Sequence, residues 1–332
     1  MSYSKSIHLV DIMKFISAML VVGIHTMPMR NHEIVQTYIF WPLVSIAVPY
    51  FLIVSSYFFW NRENPNLKKW LTRIGLLYIV WLVIYSPLMY FEQFADGSMI
   101  RNLLIFFRGF FFGQTFPGSW YLNCSIWGII ISYVFWKHRI NYKYLLAIGL
   151  LLYLIGKVLL FFHSILPDNI ERVAVTFAGR FGWMQVSSFT YLVFIFLGCV
   201  LARENNWFNS FKSKWWLILG IFITVLELAF NHLYDYPMSV IGLLFIIPFL
   251  LAYTVTTPFE ISNNLAIRLR KMSTLIYFTH PFFVHLPLFG PEFVSCHPIT
   301  NYFIVLSISS LLAFVLSSEK LSKTIAVIKY LY

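Results

Sequence analysis

Long apolar stretches recur along the whole chain, and they constrain its fold more than any other feature. A helix that crosses a bilayer needs about 20 predominantly apolar residues. Only 11% of the 332 residues are charged, against about 25% in an average soluble domain. The candidate spans lie at 10–28, 39–60, 70–91, 118–136, 143–163, 186–202, 214–232, 237–257, 273–290 and 301–318. The sequence therefore predicts an all-α fold, a polytopic membrane helix bundle of about ten transmembrane helices that forms a single domain over residues 1–332.

One further apolar segment, Asn102–Gly113, is too short to span a bilayer and contains Arg108. This length favours an interfacial or re-entrant helix. The three cysteines lie far apart and have no metal-site spacing, so neither a metal site nor a disulfide framework is expected.

Basic residues fall on alternate sides of the predicted spans. With the N-terminus inside, the inner segments contain 17 of the 24 Lys and Arg residues and the outer segments contain five. The inner residues are Lys5, Arg62, Lys68, Lys69, Arg73, Lys137, Arg139, Lys143, Arg203, Lys212, Lys214, Arg268, Arg270, Lys271, Lys320, Lys323 and Lys329. This is the positive-inside pattern. It predicts cytoplasmic N- and C-termini in a multi-pass protein of the cell membrane, most simply the bacterial cytoplasmic membrane. The net charge of +11 follows from this topology and requires no nucleic-acid partner.

The first span contains three polar residues on one face. Lys14 and His25 are eleven residues apart, which at 100° per residue is about 20° from three full turns, and Asp11 lies one turn before Lys14. Charged groups inside a span usually face a cavity, a partner or a pathway. An ion pair of Asp11 with Lys14 and a packed His25 are the structural alternatives.

Five segments in order resemble the membrane-bound acyltransferase 3 family. The first is VDIMKFISAMLVVGIHT, in which Lys14 and His25 match a basic residue, ten intervening residues and a histidine. The others are SIAVPYFLIVSSYFFW (Ser45–Trp60), GSWYLNCSIWGIIISYVF (Gly118–Phe135), FIFLGCVLARE (Phe194–Glu204) and MSTLIYFTHP (Met272–Pro281). The chain departs from the family pattern at Lys14, where Arg is more usual, and at Ser56, where Gly is usual. The length resembles the short stand-alone branch that includes enterobacterial-common-antigen O-acetyltransferases.

The resemblance implies an O-acyltransferase with ten membrane helices. Such an enzyme moves an acyl group, usually acetyl, from cytoplasmic acetyl-CoA to a hydroxyl of an extracytoplasmic glycan or lipid-linked saccharide. The acyl-CoA is then a substrate, and no bound cofactor is expected. His25 is the predicted catalytic residue, either as general base or as an acylated intermediate. Lys14 and Asp11 are predicted to bind the donor or to set the electrostatics of the site.

Other polar residues are weaker candidates for the acceptor site or for a second site. His280, next to Pro281, is a possible second site histidine. Trp120 and Tyr121 are either acceptor-pocket residues or part of an interfacial aromatic belt, and Arg180 is either an acceptor ligand or a solvated loop charge. Glu227 lies in the middle of a predicted span, where a charged side chain needs a partner or a cavity. Because Lys157 also lies within a span, a structural ion pair between the two residues is slightly favoured over a catalytic role for Glu227.

A membrane transporter is the alternative function, because another branch of the family resembles the membrane half of serine/alanine racemases and is linked to serine uptake. A transporter moves its solute without consuming acyl-CoA, whereas an acyltransferase binds an acyl-CoA and turns it over.

The predicted topology can be tested with reporter fusions along the chain. Fusions after Lys69, Arg139, Lys214 and Lys271 should report a cytoplasmic location, because each follows an inner basic cluster. Fusions near Asp96 and Asp235 should report an external location. A cytoplasmic signal at Asp235 would contradict the model of ten spans.

Overall fold

The computed structural model describes residues 7–89, 98–162, 189–233, 241–285 and 290–318, together with 321, 328 and 330–332. All regular structure in these residues is helical, and no β-strand occurs among them. The predicted all-α class is therefore confirmed for this part of the chain.

A helix lies in each of the ten predicted apolar segments, and a further helix covers Asn102–Gly113. The helices are α1 His8–Thr26, α2 Glu33–Trp60, α3 Leu67–Met89, α4 Met99–Phe112, α5 Ser119–Lys137, α6 Tyr142–Phe162, α7 Leu192–Arg203, α8 Asn205–Ser210, α9 Lys214–Leu233, α10 Leu243–Thr256, α11 Asn263–His285, α12 Gly290–Cys296 and α13 Pro298–Leu316. Within the described residues, four helices are long and apolar enough to cross a membrane: α1, α2, α3 and α13. The count of ten spans and the location of the termini remain predictions.

The helices group into two compact units. One unit comprises Met1–Phe51 with Phe208–Tyr332, and the other comprises Leu52–Trp207. The boundary falls within α2.

In the first unit, α1 packs along α11, and α13 packs against both helices. His8 near the start of α1 lies 3.0 Å from Asn263 at the start of α11, measured from Nε2 to Oδ1. Near the ends of the same helices, the rings of His25 and His280 are in contact. The two helices therefore run parallel. The guanidinium of Arg268, early in α11, lies 3.5 Å from the centroid of the Phe314 ring, late in α13. Consequently α13 runs antiparallel to α11.

In the second unit, the C-terminal half of α2 packs closely on α7. The buried Ser56 hydroxyl donates a hydrogen bond to the Ile195 carbonyl oxygen over 2.6 Å. A Cβ atom added to Gly198 would lie 2.5 Å from the Ile53 carbonyl oxygen and 2.8 Å from the Ser56 Cβ. Ser56, at a position where the resembled family usually has glycine, is thus accommodated because its hydroxyl has an acceptor and the facing residue has no side chain.

The short helix α4 is held against α5 by side chains that satisfy its last carbonyl groups. The Asn123 side-chain amide donates to the carbonyl oxygens of Gly109 and Gly113, over 3.1 and 3.0 Å. The Trp127 Nε1–H donates to the Phe111 carbonyl oxygen over 2.9 Å. These donors replace the helical partners that the C-terminal end of any helix lacks, so α4 can end within the packed structure.

Two glycine-to-alanine substitutions distinguish the effect of close packing on stability from the effect of helix propensity. Gly198→Ala should destabilise the protein by about 1–3 kcal/mol, because the added methyl group overpacks the contact between α2 and α7. Gly75→Ala is the matched control within α3, where a Cβ meets nothing within 4 Å. This control should stabilise by up to about 1 kcal/mol through helix propensity. Thermal unfolding of the purified variants measures both effects, and equal behaviour of the two variants would contradict the close contact at Gly198.

Candidate active site

The central feature of the site is a contact between two histidines. The ring centroids of His25, in the last turn of α1, and His280, in α11, are 5.1 Å apart and the rings are tilted by 42°. His25 is exposed at the surface of its unit, whereas His280 is only 1% exposed. The arrangement therefore combines one accessible imidazole with one buried imidazole.

A close approach of α1 to the first part of α2 positions the end of α1. A Cβ on Gly23 would lie 2.7 Å from the Phe40 Cζ and 3.5 Å from a methyl carbon of Val44. Any larger residue at this position would require the Phe40 ring to shift. Four residues later, α1 ends at Met27, whose backbone is left-handed with φ 45°, so His25 lies in the last turn before the chain leaves the helix.

The hydrogen bonding of His280 determines which of its nitrogens carries the proton. Its Nδ1 lies 2.9 Å from the Ile276 carbonyl oxygen. Because a carbonyl oxygen only accepts, Nδ1 carries the hydrogen, and Nε2 of the neutral ring presents a lone pair. This buried Nε2 has no hydrogen-bond partner among the described residues. A buried polar atom without a partner requires an explanation, and a catalytic role is one of the recognised explanations.

Two neighbours complete the surroundings of the histidine pair. The Tyr277 ring lies 6.3 Å from the His280 ring, edge to face, and also contacts Phe51. His285, further along α11, interacts electrostatically with both site histidines. Since two positive charges repel strongly at these separations, the cluster is suited to accepting one proton at a time.

At the other end of α1, Asp11 is bound by an arginine of α11. The Arg270 Nε and a terminal nitrogen donate to the two carboxylate oxygens of Asp11 over 2.8 and 2.7 Å. The Asp11 side chain is 3% exposed and that of Arg270 is 50% exposed. The structure therefore pairs Asp11 bidentately with Arg270, a partner other than the Lys14 considered from the sequence. Lys14, one turn further along α1, is partly exposed, and its predicted role with the donor remains untested.

Glu227 has partners, as its position within a span required. Its two carboxylate oxygens accept hydrogen bonds from the backbone N–H groups of Ile241 and Gly242, over 2.8 and 3.2 Å. These groups lie at the N-terminal end of α10, where unsatisfied N–H groups and the helix dipole favour a negative charge. The contact gives Glu227 a capping role that joins α9 to α10.

The remaining candidates lie elsewhere. Trp120 and Tyr121 are at the start of α5 in the second unit, and the Trp120 ring is 5.2 Å from the Tyr191 ring. Their predicted contribution to an acceptor pocket remains a prediction. Arg180 lies outside the described residues.

Sequence reasoning did not single out Arg270 as a site residue. Arg270 was identified only as one of the basic residues on the predicted inner side of the membrane. The one available signal was the cost of burying Asp11 in a membrane helix, which requires a partner but does not identify it. The contact of His25 with His280 was likewise not deducible from spacing, because 255 residues separate the two histidines in the chain.

Comparison with known proteins identifies the family to which the chain belongs. A family model described as an acyltransferase domain, of the acyltransferase 3 type, matches residues 7–318. That match covers nearly the whole chain and places it in a class of membrane acyltransferases. The chain belongs to the acyltransferase 3 family.

Two curated relatives from Enterococcus faecalis, both named amino-acid racemase, share part of the sequence. One is 29% identical over 160 residues, which is 44% of this chain and 22% of the relative. The other is 30% identical over 161 residues, which is 47% of this chain and 22% of the relative. The chain therefore spans about a fifth of the length of these relatives. No solved structure matches.

Removing either partner of the ion pair between Asp11 and Arg270 should destabilise the protein, but by different amounts. Arg270→Ala should destabilise the protein by about 1–3 kcal/mol, because it leaves a buried carboxylate without its donors. Asp11→Asn should cost less, because the half-exposed Arg270 can be hydrated. The double variant should lose less stability than the sum of the two losses. Thermal unfolding measures all three, with exposed Lys214→Ala as the control. Strict additivity would contradict the pairing.

Proposed function

We propose that this protein is an O-acyltransferase that moves an acyl group, most simply acetyl, from cytoplasmic acyl-CoA to a hydroxyl of an extracytoplasmic glycan or lipid-linked saccharide. Family membership supports acyl transfer in a membrane. The observation that carries the mechanism is the contact between the accessible His25 and the buried His280, whose Nε2 lacks a partner.

In the proposed reaction, the acceptor hydroxyl attacks the thioester carbonyl carbon and passes its proton to an imidazole nitrogen of His25. The new C–O bond forms as the C–S bond breaks, and the CoA thiolate leaves. The proton then passes from His25 to the thiolate, which regenerates the neutral imidazole. A neutral imidazole can accept a proton and return it, so it suits both steps.

His280 is a positioning residue in this mechanism. Its Nδ1–H is committed to the Ile276 carbonyl oxygen, which fixes the ring and leaves Nε2 as an acceptor. That lone pair can accept a hydrogen bond from His25 and thereby orient the accessible ring toward the reacting hydroxyl. In Ser-His-Asp triads a carboxylate plays this orienting part for the catalytic histidine.

The proposed orientation places the donor and the acceptor on opposite sides of the membrane. In the ten-span topology, α1, α11 and α13 are the first, ninth and tenth spans. The first and ninth spans must run in the same direction and the tenth in the opposite direction, as these three helices do. In that order His25 lies at the outer end of α1, about 16 Å beyond Lys14 along the helix axis. A thioester on a long flexible arm could enter from the basic inner side and present its carbonyl near His25.

His25→Asn tests the proposed role. The substitution keeps a similar size and some hydrogen bonding but removes the proton-carrying imidazole, so transfer should fall by about 10²–10⁴-fold. Mass spectrometry of cell-surface glycans and turnover of radiolabelled acetyl-CoA by the purified protein provide the measurements. The melting temperature should remain close to that of the wild type, because His25 is exposed.

His32→Asn is the matched control. It makes the same chemical change at an exposed residue of the same unit, and it should leave transfer unchanged. Near-normal glycan acylation by His25→Asn at normal protein levels would refute the catalytic assignment. Wild-type protein that transports serine and consumes no acyl-CoA would instead favour the transporter.

A further inference from the structure

The second unit contains a basic pocket that the proposed reaction does not use. The pocket has a volume of about 720 Å³ and is lined by the loop from Trp136 to Tyr142 together with Glu204. This loop joins α5 to α6, and Glu204 directly follows α7. The volume lies within the range of pockets for small organic ligands, about 300–1,000 Å³.

Positive charge dominates the pocket. Lys137 and Arg139 line it and are exposed. Arg203 precedes Glu204 in the chain and interacts electrostatically with Tyr142, which also lines the pocket. The lining itself carries two cations and one carboxylate, a net charge of +1, and Arg203 adds a further positive charge beside it. An anion is therefore favoured over a cation or a neutral solute.

Two buried polar atoms near residues that line the pocket also lack hydrogen-bond partners among the described residues. The Arg203 guanidinium lies 5.5 Å from the centroid of the fully buried Trp60 ring. The Arg203 Nε and the Trp60 Nε1 are both buried, and neither has a hydrogen-bond partner among the described residues. The Trp60 ring in turn lies 6.0 Å from the Trp136 ring. Packed aromatic rings therefore lie next to Trp136, which lines the pocket.

The aromatic lining indicates which anion fits. Trp136 and Tyr142 are both partly exposed where they line the pocket. Flat side chains of this kind stack on nucleobases, and each stacked base gains about 1–3 kcal/mol. A lipid headgroup or inorganic phosphate offers no ring for these side chains. The combination of cations and aromatic rings therefore suits a phosphorylated nucleotide.

We infer that this pocket binds the phosphorylated adenine nucleotide of the acyl-CoA donor through Lys137, Arg139 and the aromatic pair Trp136 and Tyr142. The inference rests on the proposed acyl-CoA-dependent function. The loop lies on the predicted inner side of the membrane, where the donor is available. The pocket holds the part of the donor that takes no part in the bond changes.

Arg139 offers a substitution that separates binding from folding. Its backbone has a left-handed φ of 53°, which favours glycine. Arg139→Gly should therefore leave the melting temperature unchanged or higher while removing the guanidinium. A residue with a purely structural role would not combine higher stability with weaker binding.

The experiment measures ligand binding to the full chain in phosphatidylcholine nanodiscs. Lys137→Ala and Arg139→Gly should each weaken CoA binding by about tenfold, because each removes a charge-assisted contact to phosphate. Glu204→Gln should strengthen CoA binding severalfold, because it removes a repelling carboxylate. Pantetheine, which lacks the nucleotide, should bind equally to all variants. Lys68→Ala, an exposed basic residue of the same unit outside the pocket, should bind CoA as the wild type does.

Each contrary outcome has a distinct meaning. Unchanged CoA affinity in Lys137→Ala and Arg139→Gly overturns the inference and leaves the proposed function standing. Wild-type protein that binds no CoA overturns both. Repeating the titrations with phosphatidylglycerol in the nanodiscs distinguishes the source of the phosphate. If the substitutions weaken the binding of phosphatidylglycerol and leave the binding of CoA unchanged, the pocket holds a lipid headgroup and the inference is wrong.

Discussion

The buried ion pair between Asp11 and Arg270 is the interaction on which the geometry of the first unit depends. A carboxylate that is 3% exposed within a membrane helix is costly unless donors are fixed beside it. The bidentate geometry fixes both the distance between α1 and α11 and their relative rotation. Because the two helices run parallel, their register at this pair also determines which residues meet at the opposite ends. The contact of His25 with His280 is the result.

The two ends of α1 thus have different chemistry. Near its start, polar groups are fully engaged: Asp11 with Arg270, and His8 with both Asn263 and the backbone N–H of Ile261. Near its end, the histidine pair retains a nitrogen without a partner. Satisfied polar networks rigidify a structure, whereas the unpaired His280 Nε2 remains able to accept a hydrogen bond from His25. This contrast is the physical basis for our proposal that the chemistry occurs at His25 and that Asp11 provides structural support.

Sequence patterns predicted the elements of this fold better than their contacts. The length and apolarity of the segments predicted a helix in each of ten places, because a bilayer allows few alternatives for a spanning chain. Helical periodicity placed Asp11, Lys14 and His25 on one face, because that argument concerns one helix only. The partners of Asp11 and His25 lie more than 250 residues away, and no local rule links them. Glu227 illustrates the same limit: the cost of its charge predicted a partner, but not that backbone N–H groups would provide it.

The sequence separation of Asp11 and Arg270 has a consequence for how the protein is made. The two residues are 259 positions apart, and chains grow at about 5–20 residues per second. Asp11 therefore enters the membrane roughly 10–50 s before Arg270 is synthesised. During that interval the carboxylate requires water, a proton, a lipid headgroup or the insertion machinery as a temporary partner. The first helix therefore cannot make its final contacts until α11 has been synthesised, and the histidine pair forms only after that point.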